Sequence, residues 1–309
     1  MPIRTILAAT LLLAGCAPDD AVDGADQDAS PTASAQPIGE KGILAGRLQP
    51  GETTVSLTHQ GRMRSYVAYV PRGYNGLADV PLVVNAHAFM QNPSGQAVLS
   101  GMNTKADEKG FIVVYPWGTG RQLSFNAGLC CGPAAANGVD DVGFVRAVVT
   151  DVSARARVNR KRVYATGMSN GGFLAHRLGC EASDIIAAIA PVAGVNGVPN
   201  KCDPRRPVPV MHFHGTDDRV VAYNGGGKFP GVQETVNDWA TRNGCTGAPA
   251  QSFNGGNSRC VTRSGCRRGA EVTLCTINGG GHEWPGGGRS VATLNATDHM
   301  WNFFSRFSL

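Results

Sequence analysis

The sequence predicts an α/β fold, a mostly parallel sheet with helices on both faces, and three observations carry that prediction. From residue 40 onward, short runs rich in β-branched and aromatic residues alternate with segments of helical periodicity, the alternation that builds strand–helix–strand units. Of the 309 residues 42% are hydrophobic and 17% charged, which suits one sizeable core and excludes a coiled coil or a fully disordered chain. Finally, Gly167-Met168-Ser169-Asn170-Gly171 stands between a strand-like run and a helix-like one, as a tight turn at a sheet edge does.

The expected strands are 66–70 (YVAYV), 81–86, 111–115 (FIVVY), 162–166, 185–192, 208–213 and 271–277. Each is a short apolar run rich in β-branched residues. Helices are expected near 95–109, 140–157, 170–179, 233–243 and 290–307. In the second of these, Val142, Val145, Val149 and Val152 fall on one face, and Asp140 and Asp141 suit the first turn, where carboxylates meet the positive end of the helix dipole.

The N-terminus reads as an export signal over residues 1–15: Arg4, an apolar stretch, then small residues. Leu13-Ala14-Gly15-Cys16 has the spacing of a bacterial lipobox, so Cys16 is the expected lipidation site. Residues 16–40, with five Asp and little to bury, form an acidic tether, leaving 41–309 as the catalytic domain. The whole chain carries +5; from residue 40 onward 27 basic residues stand against 18 acidic, or +9. The basic residues are scattered, without a Lys/Arg run interleaved with aromatics, so no nucleic-acid partner is expected. Membrane contact is expected only through the lipid anchor, and the domain is expected to be a monomer.

Removing Cys16 from nine cysteines leaves eight, an even number that favours four disulfides in an exported protein. Cys260 and Cys266 are expected to close a small loop, and Cys245 and Cys275 to staple a helix to a strand. Adjacent Cys130 and Cys131 are expected to pair outward. No metal site or cofactor is expected. His212 and His214 lack a third ligand, and His282-Glu283 lacks the second histidine of a zincin helix. His214-Gly215 reads as shaping the turn that carries the acid, and His176 as packing or solvated.

A serine hydroxyl is a poor nucleophile at neutral pH and needs a base, which in turn needs an orienting acid. Ser169 is the candidate nucleophile. The run at 208–213 leads into His214-Gly215-Thr216-Asp217-Asp218, which offers two carboxylates, and the run at 271–277 leads into His282, the candidate base. The order Ser, acid, His is that of an α/β-hydrolase. The expected oxyanion donors are the backbone amides of Asn170, after the nucleophile, and Phe89, after the strand at 81–86.

Taken together, PLVVNAHAF at 81–89, CCG at 130–132, VDDVGF at 139–144, GMSNGGFLAHRLGCE at 167–181, HGTDD at 214–218 and GGGHEWPG at 279–286 resemble the polyhydroxybutyrate depolymerase and feruloyl esterase group of α/β-hydrolases. The resemblance covers most of residues 60–305. It implies an α/β-hydrolase fold and a secreted serine esterase with Ser169 as nucleophile and His282 as base. Its HGTxD pattern favours Asp218 over Asp217 as the acid. This sequence departs from the group at Ala88, Trp117 and Phe125, the last two expected along the substrate approach. Only residues 193–207 separate two strands where a cap is usually inserted, so no large lid is expected and the groove should be open. Trp284 and Trp117 are candidates to stack on an aryl or sugar ring. The substrate is then an ester, polymeric or oligomeric: a polyhydroxyalkanoate, or feruloyl or acetyl groups on plant polysaccharide. An acyltransferase and a catalytically silent surface binder are the competing readings.

Overall fold

The computed structural model describes residues 46–309; the expected signal, Cys16 and the tether lie outside the described residues. In chain order the elements are β1 (Gly51–His59), β2 (Arg62–Val70), β3 (Val80–Ala86), α1 (Pro93–Ser100), α2 (Met102–Lys109), β4 (Ile112–Pro116), α3 (Gly132–Ala136), α4 (Asp141–Arg155), β5 (Val158–Met168), α5 (Asn170–Glu181), β6 (Ala188–Val192), β7 (Val210–Gly215), α6 (Val232–Asn243), β8 (Ala250–Gly255), β9 (Ser258–Arg263), β10 (Val272–Ile277) and α7 (Ala296–Phe304). The strands form one ten-stranded sheet in the order β1-β2-β4-β3-β5-β6-β7-β10-β9-β8. The neighbours from β4 to β10 run parallel, and an antiparallel pair flanks them on each side.

This is an α/β-hydrolase fold, with a core on each face of the sheet. Alternation along β3 sends Leu82 and Val84 to one face, into the core that also holds Val145 and Val149 of α4, Leu174 of α5 and Val236 of α6. Val83 faces the other side, with Ala97, Met102 and the aromatic residues of α7. The central strands are buried on both faces and therefore read as continuous apolar runs. The outer ones do not: β1 and β8 are largely exposed, carry no apolar run, and escaped the sequence reading together with β9.

Two helical expectations change. The segment 95–109 is two helices, because Gly101 takes φ 60° and its N–H caps α1 on the Ala97 carbonyl. Only Ala296–Phe304 of 290–307 is helical. Between β6 and β7 the chain makes a single 3₁₀ turn, Pro199–Lys201, and builds no lid.

The disulfides are Cys130–Cys131, Cys180–Cys202, Cys245–Cys266 and Cys260–Cys275. This corrects the expected pairing. Cys260 and Cys275 stand directly opposite each other in the β9·β10 ladder, 4.0 Å apart at Cα, so each takes the other. Cys245 then pairs with Cys266, and Cys130 and Cys131 bond to each other instead of outward.

Candidate active site

After β3 the chain crosses to β4 on one side, then returns to β5 on the other side of β3. A strand order that reverses in this way leaves a crevice beyond the carboxyl ends of β3 and β5. Ser169 sits there, immediately after β5, with φ 54° and ψ −118°. A non-glycine residue in such a conformation stores about 1–3 kcal/mol, held by its surroundings. The Ser169 N–H donates to the Val192 carbonyl at 2.9 Å, and its own carbonyl accepts from Phe173 at 2.9 Å. The glycines of the elbow are obligatory. A Cβ on Gly167 or Gly171 would strike the Ala86 carbonyl oxygen, and one on Gly172 would lie 2.6 Å from the Val192 oxygen. Ser169 is 8% exposed, at the N-terminal, positive end of α5.

Asp218 and His282 follow the ends of β7 and β10, which are parallel neighbours. Their loops are laced together: Thr216 N–H donates to the Ile277 carbonyl and Asp217 N–H to the Gly280 carbonyl, both at 2.9 Å. His282 Nδ1 donates to Asp218 Oδ2 at 2.7 Å, while the Val220 and Val221 amides donate to Oδ1 at 2.8 Å. His214 Nε2 lies 3.3 Å from Oδ2. Burial by itself would raise the Asp218 pKa, but the hydrogen bonds from His214 and His282 and the Val221 amide hold the carboxyl well below the usual range. Asp217 is exposed and reaches only Thr216. The structure therefore brings Asp218 to His282 and leaves Asp217 out. His282 keeps 18% of its side chain exposed, and among the described residues no hydrogen bond joins it to the Ser169 hydroxyl. Bonds of that kind often tighten only when substrate is present.

Among the described residues, the amide N–H groups of Phe89 and Asn170 have no hydrogen-bond partner. Two unengaged amides on neighbouring loops are what an oxyanion needs. The loop carrying Phe89 is held from behind by His87. The Gly118 N–H donates to His87 Nε2 at 2.9 Å, so the proton lies on Nδ1, which donates to the Ala88 carbonyl at 2.8 Å. Burial pushes the His87 pKa down to about 4, and the ring is neutral at pH 7. Met90, at φ 61°, donates to the Gln122 carbonyl at 3.1 Å.

Sequence reasoning missed the supports of this half. The Asn170 side chain holds both backbone groups of Phe125, accepting at 2.8 Å and donating at 2.9 Å. Asp141, read as a first-turn carboxylate, is fully buried, accepting from Arg64 at 2.7 Å and from the Asn126 amide at 2.6 Å. Asp140 is the true cap, bonded to the Gly143 N–H. A basic residue on a strand and an acid on a distant helix give no periodic signal, so only the fold reveals that pair.

Two expected substrate contacts fail. Trp284 is 1% exposed and its indole donates to Thr297 at 3.0 Å, so it belongs to the core and offers no face to a substrate. Phe125 is fully buried, its ring 4.7 Å from that of His87. Trp117 is half-buried, its peptide bonded to Ser65 and adjacent to the Gly118 amide that meets His87.

The chain is similar to known esterases. Feruloyl esterase B of Piromyces equi is 37% identical over 263 residues, which is 80% of this chain; the chain spans about half, 46%, of that relative's length. A putative esterase, NocK, of Nocardia uniformis is 29% identical over 95% of this chain and 93% of its own. Among solved structures, the acetyl xylan esterase of Aspergillus awamori shares the fold with a TM-score of 0.60 at 18% identity, over 82% of this chain and 99% of that one. The sequence profile described as esterase PHB depolymerase matches residues 64–223, just over half of the chain, and includes both the elbow and Asp218. The chain belongs to the esterase PHB depolymerase family.

Proposed function

We propose that this chain is an exported serine carboxylesterase, with Ser169 as nucleophile, His282 as general base and Asp218 as the orienting acid. The observation that carries the reading is the 2.7 Å bond from His282 to a buried carboxylate after β7, at the same end of the sheet as the strained serine elbow after β5. His282 Nδ1–H on Asp218 leaves Nε2 with its lone pair, the tautomer a base requires. Nε2 takes the Ser169 proton as the oxygen attacks the ester carbonyl. The Phe89 and Asn170 amides hold the resulting oxyanion, and His282 returns the proton to the departing alcohol. Water, activated in the same way, releases the acid from the acyl-enzyme.

The substrate is an ester displayed on a polymer or oligomer. Feruloyl or acetyl esters of plant polysaccharide are favoured by the names of the relatives, and polyhydroxyalkanoate by the family description. The short β6–β7 connection supports an open approach, with Trp117 at its side. Residues 1–15 as signal and Cys16 as lipid anchor complete the proposal, and a monomeric catalytic domain goes with it.

The test is a panel of p-nitrophenyl acyl esters, methyl ferulate and polyhydroxybutyrate emulsion, run beside fluorophosphonate labelling. Labelling at Ser169 and a loss of at least about 10⁴-fold in Ser169→Ala are expected. Full activity in Ser169→Ala would overturn the reading.

A further inference from the structure

Three histidines outside this mechanism form a row behind the acid. His176 on α5 and His212 and His214 on β7 are 0, 0 and 1% exposed. The two on β7 are separated by one residue and so share a face of the strand. Trp239 Nε1 donates to His176 Nδ1 at 2.9 Å. His176 Nε2 lies 3.2 Å from His212 Nδ1, and His212 Nε2 lies 3.1 Å from His214 Nδ1. At the far end, His214 Nε2 is 2.8 Å from the Val221 carbonyl oxygen and 3.3 Å from Asp218 Oδ2.

One donor fixes the direction of the whole row. An indole N–H can only donate, so His176 Nδ1 accepts and its proton sits on Nε2. That forces His212 Nδ1 to accept and His212 Nε2 to donate, and the same holds for His214. The row therefore ends with an N–H on the Val221 carbonyl. The amide of Val221 is already bonded to Asp218 Oδ1, so the residue is gripped through both its N–H and its C=O. A proton added to any member would set two N–H groups against each other. Burial opposes this, holding His176 down to about 3 and His212 well below its ordinary value. The rings run end to end instead of converging, and no three side chains among the described residues could hold a metal ion.

We infer that His214, His212 and His176 are positioning residues for the triad acid: the one-way row pins Val221, and through it sets the Asp218 carboxylate against His282. The inference rests on the esterase reading above. The titratable and charged groups facing the row are Tyr223, edge-on to His214 at 6.0 Å with its hydroxyl on Thr276, then Asp218 and, beyond it, His282. Asp217 and Arg219 share the turn but are exposed. Loosening the row withdraws donors from the Asp218 carboxylate. The carboxylate then holds the His282 imidazolium more strongly, and the base keeps its proton to higher pH.

In the full-length enzyme, His212→Leu is expected to move the acid limb of the kcat/KM profile up by about one pH unit, a loss of about tenfold on that limb. His214→Leu should do the same. His214→Gln, whose amide N–H reaches toward the Val221 carbonyl, should restore the limb, which a merely structural role does not predict. A cooperatively folded His212→Leu enzyme with the wild-type limb overturns the inference. If that variant does not fold, ¹⁵N spectra of the wild-type imidazoles decide. Three Nε2–H tautomers are expected, with His176 and His212 uncharged between about pH 5 and pH 8; an Nδ1–H tautomer in the row, or a titrating His176 or His212, overturns it. Fluorophosphonate labelling of wild-type Ser169 reads the esterase assignment separately. If it fails, the mechanism falls while the spectra still decide the row.

Discussion

The two halves of the site are built on opposite principles. The half on β7 and β10 spends its donors: His282 and the Val220 and Val221 amides converge on one buried carboxylate, and His214 stands behind them. The half on β3 and β5 withholds them. Its Phe89 and Asn170 amides are unengaged among the described residues, while side chains of His87 and Asn170 hold the surrounding loops in place. In the proposed mechanism the first half needs a fixed charge before substrate arrives. The second needs open donors aimed where charge will appear, and its strained Ser169 and Met90 are held in place by neighbours rather than by any contact of their own with a ligand.

The sharpest way to break the first half is Asp218→Asn. An asparagine can still accept from the two valine amides, but its NH₂ group turned to His282 forces the wrong imidazole tautomer. A fall in kcat of about 10⁴-fold is expected on p-nitrophenyl acetate, with the fold retained. Asp217→Asn, on the exposed neighbour, should leave kcat within about twofold, since a surface change away from the site does little. Equal losses in the two variants would remove Asp218 from its role.

The second half breaks more gently, through its backbone. Met90→Pro cannot adopt φ 61° and loses the N–H that reaches the Gln122 carbonyl, so the Phe89 amide should swing off target. The expected cost is about 10²-fold in kcat, the scale of one oxyanion donor, with fluorophosphonate labelling slowed in parallel. Unchanged kcat would mean that the second donor comes from elsewhere.

The contrast also explains what could be read from the sequence. Ser169, Asp218 and His282 stand just beyond buried strands, whose apolar runs are conspicuous and whose ends are easily found. The parallel sheet was legible for the same reason. The pieces that escaped are those held by side chains distant in sequence. Trp284 lies two residues after His282 in the chain, yet its side chain turns into the core, a direction that the sequence does not encode. The Cys260–Cys275 pair depended on the register of β9 against β10, and β9, unlike β10, carries no apolar run by which to find it. His212 and His214 offered a usable signal, two histidines on one face of a buried strand. Their third member came from α5, 36 residues earlier than His212, and only packing brings it near.

The last effect expected is on stability rather than on rate, and it distinguishes the halves by pH. Each half contains buried neutral histidines: His87 at about 4 in one, His176 at about 3 and His212 well below its ordinary value in the other. In the unfolded chain a histidine binds its proton near 6.5, so below that pH the unfolded state takes up more protons than the folded one. Stability should therefore fall as the pH drops from about 6.5 toward 4, by about 1.4 kcal/mol per pH unit for each such histidine. Asp218 acts in a different window. Its carboxyl is depressed in the fold, so its contribution is intact above the unfolded value of about 3.9 and is lost only as the pH falls below that. Urea unfolding from about pH 7 to about pH 5 should show the histidine slope before the carboxylate matters. His87→Gln should flatten that slope by one group and leave the contribution of the row unchanged. A stability that stays level over this range would mean that these imidazoles accept protons without unfolding, and the tautomers assigned to both halves would be wrong.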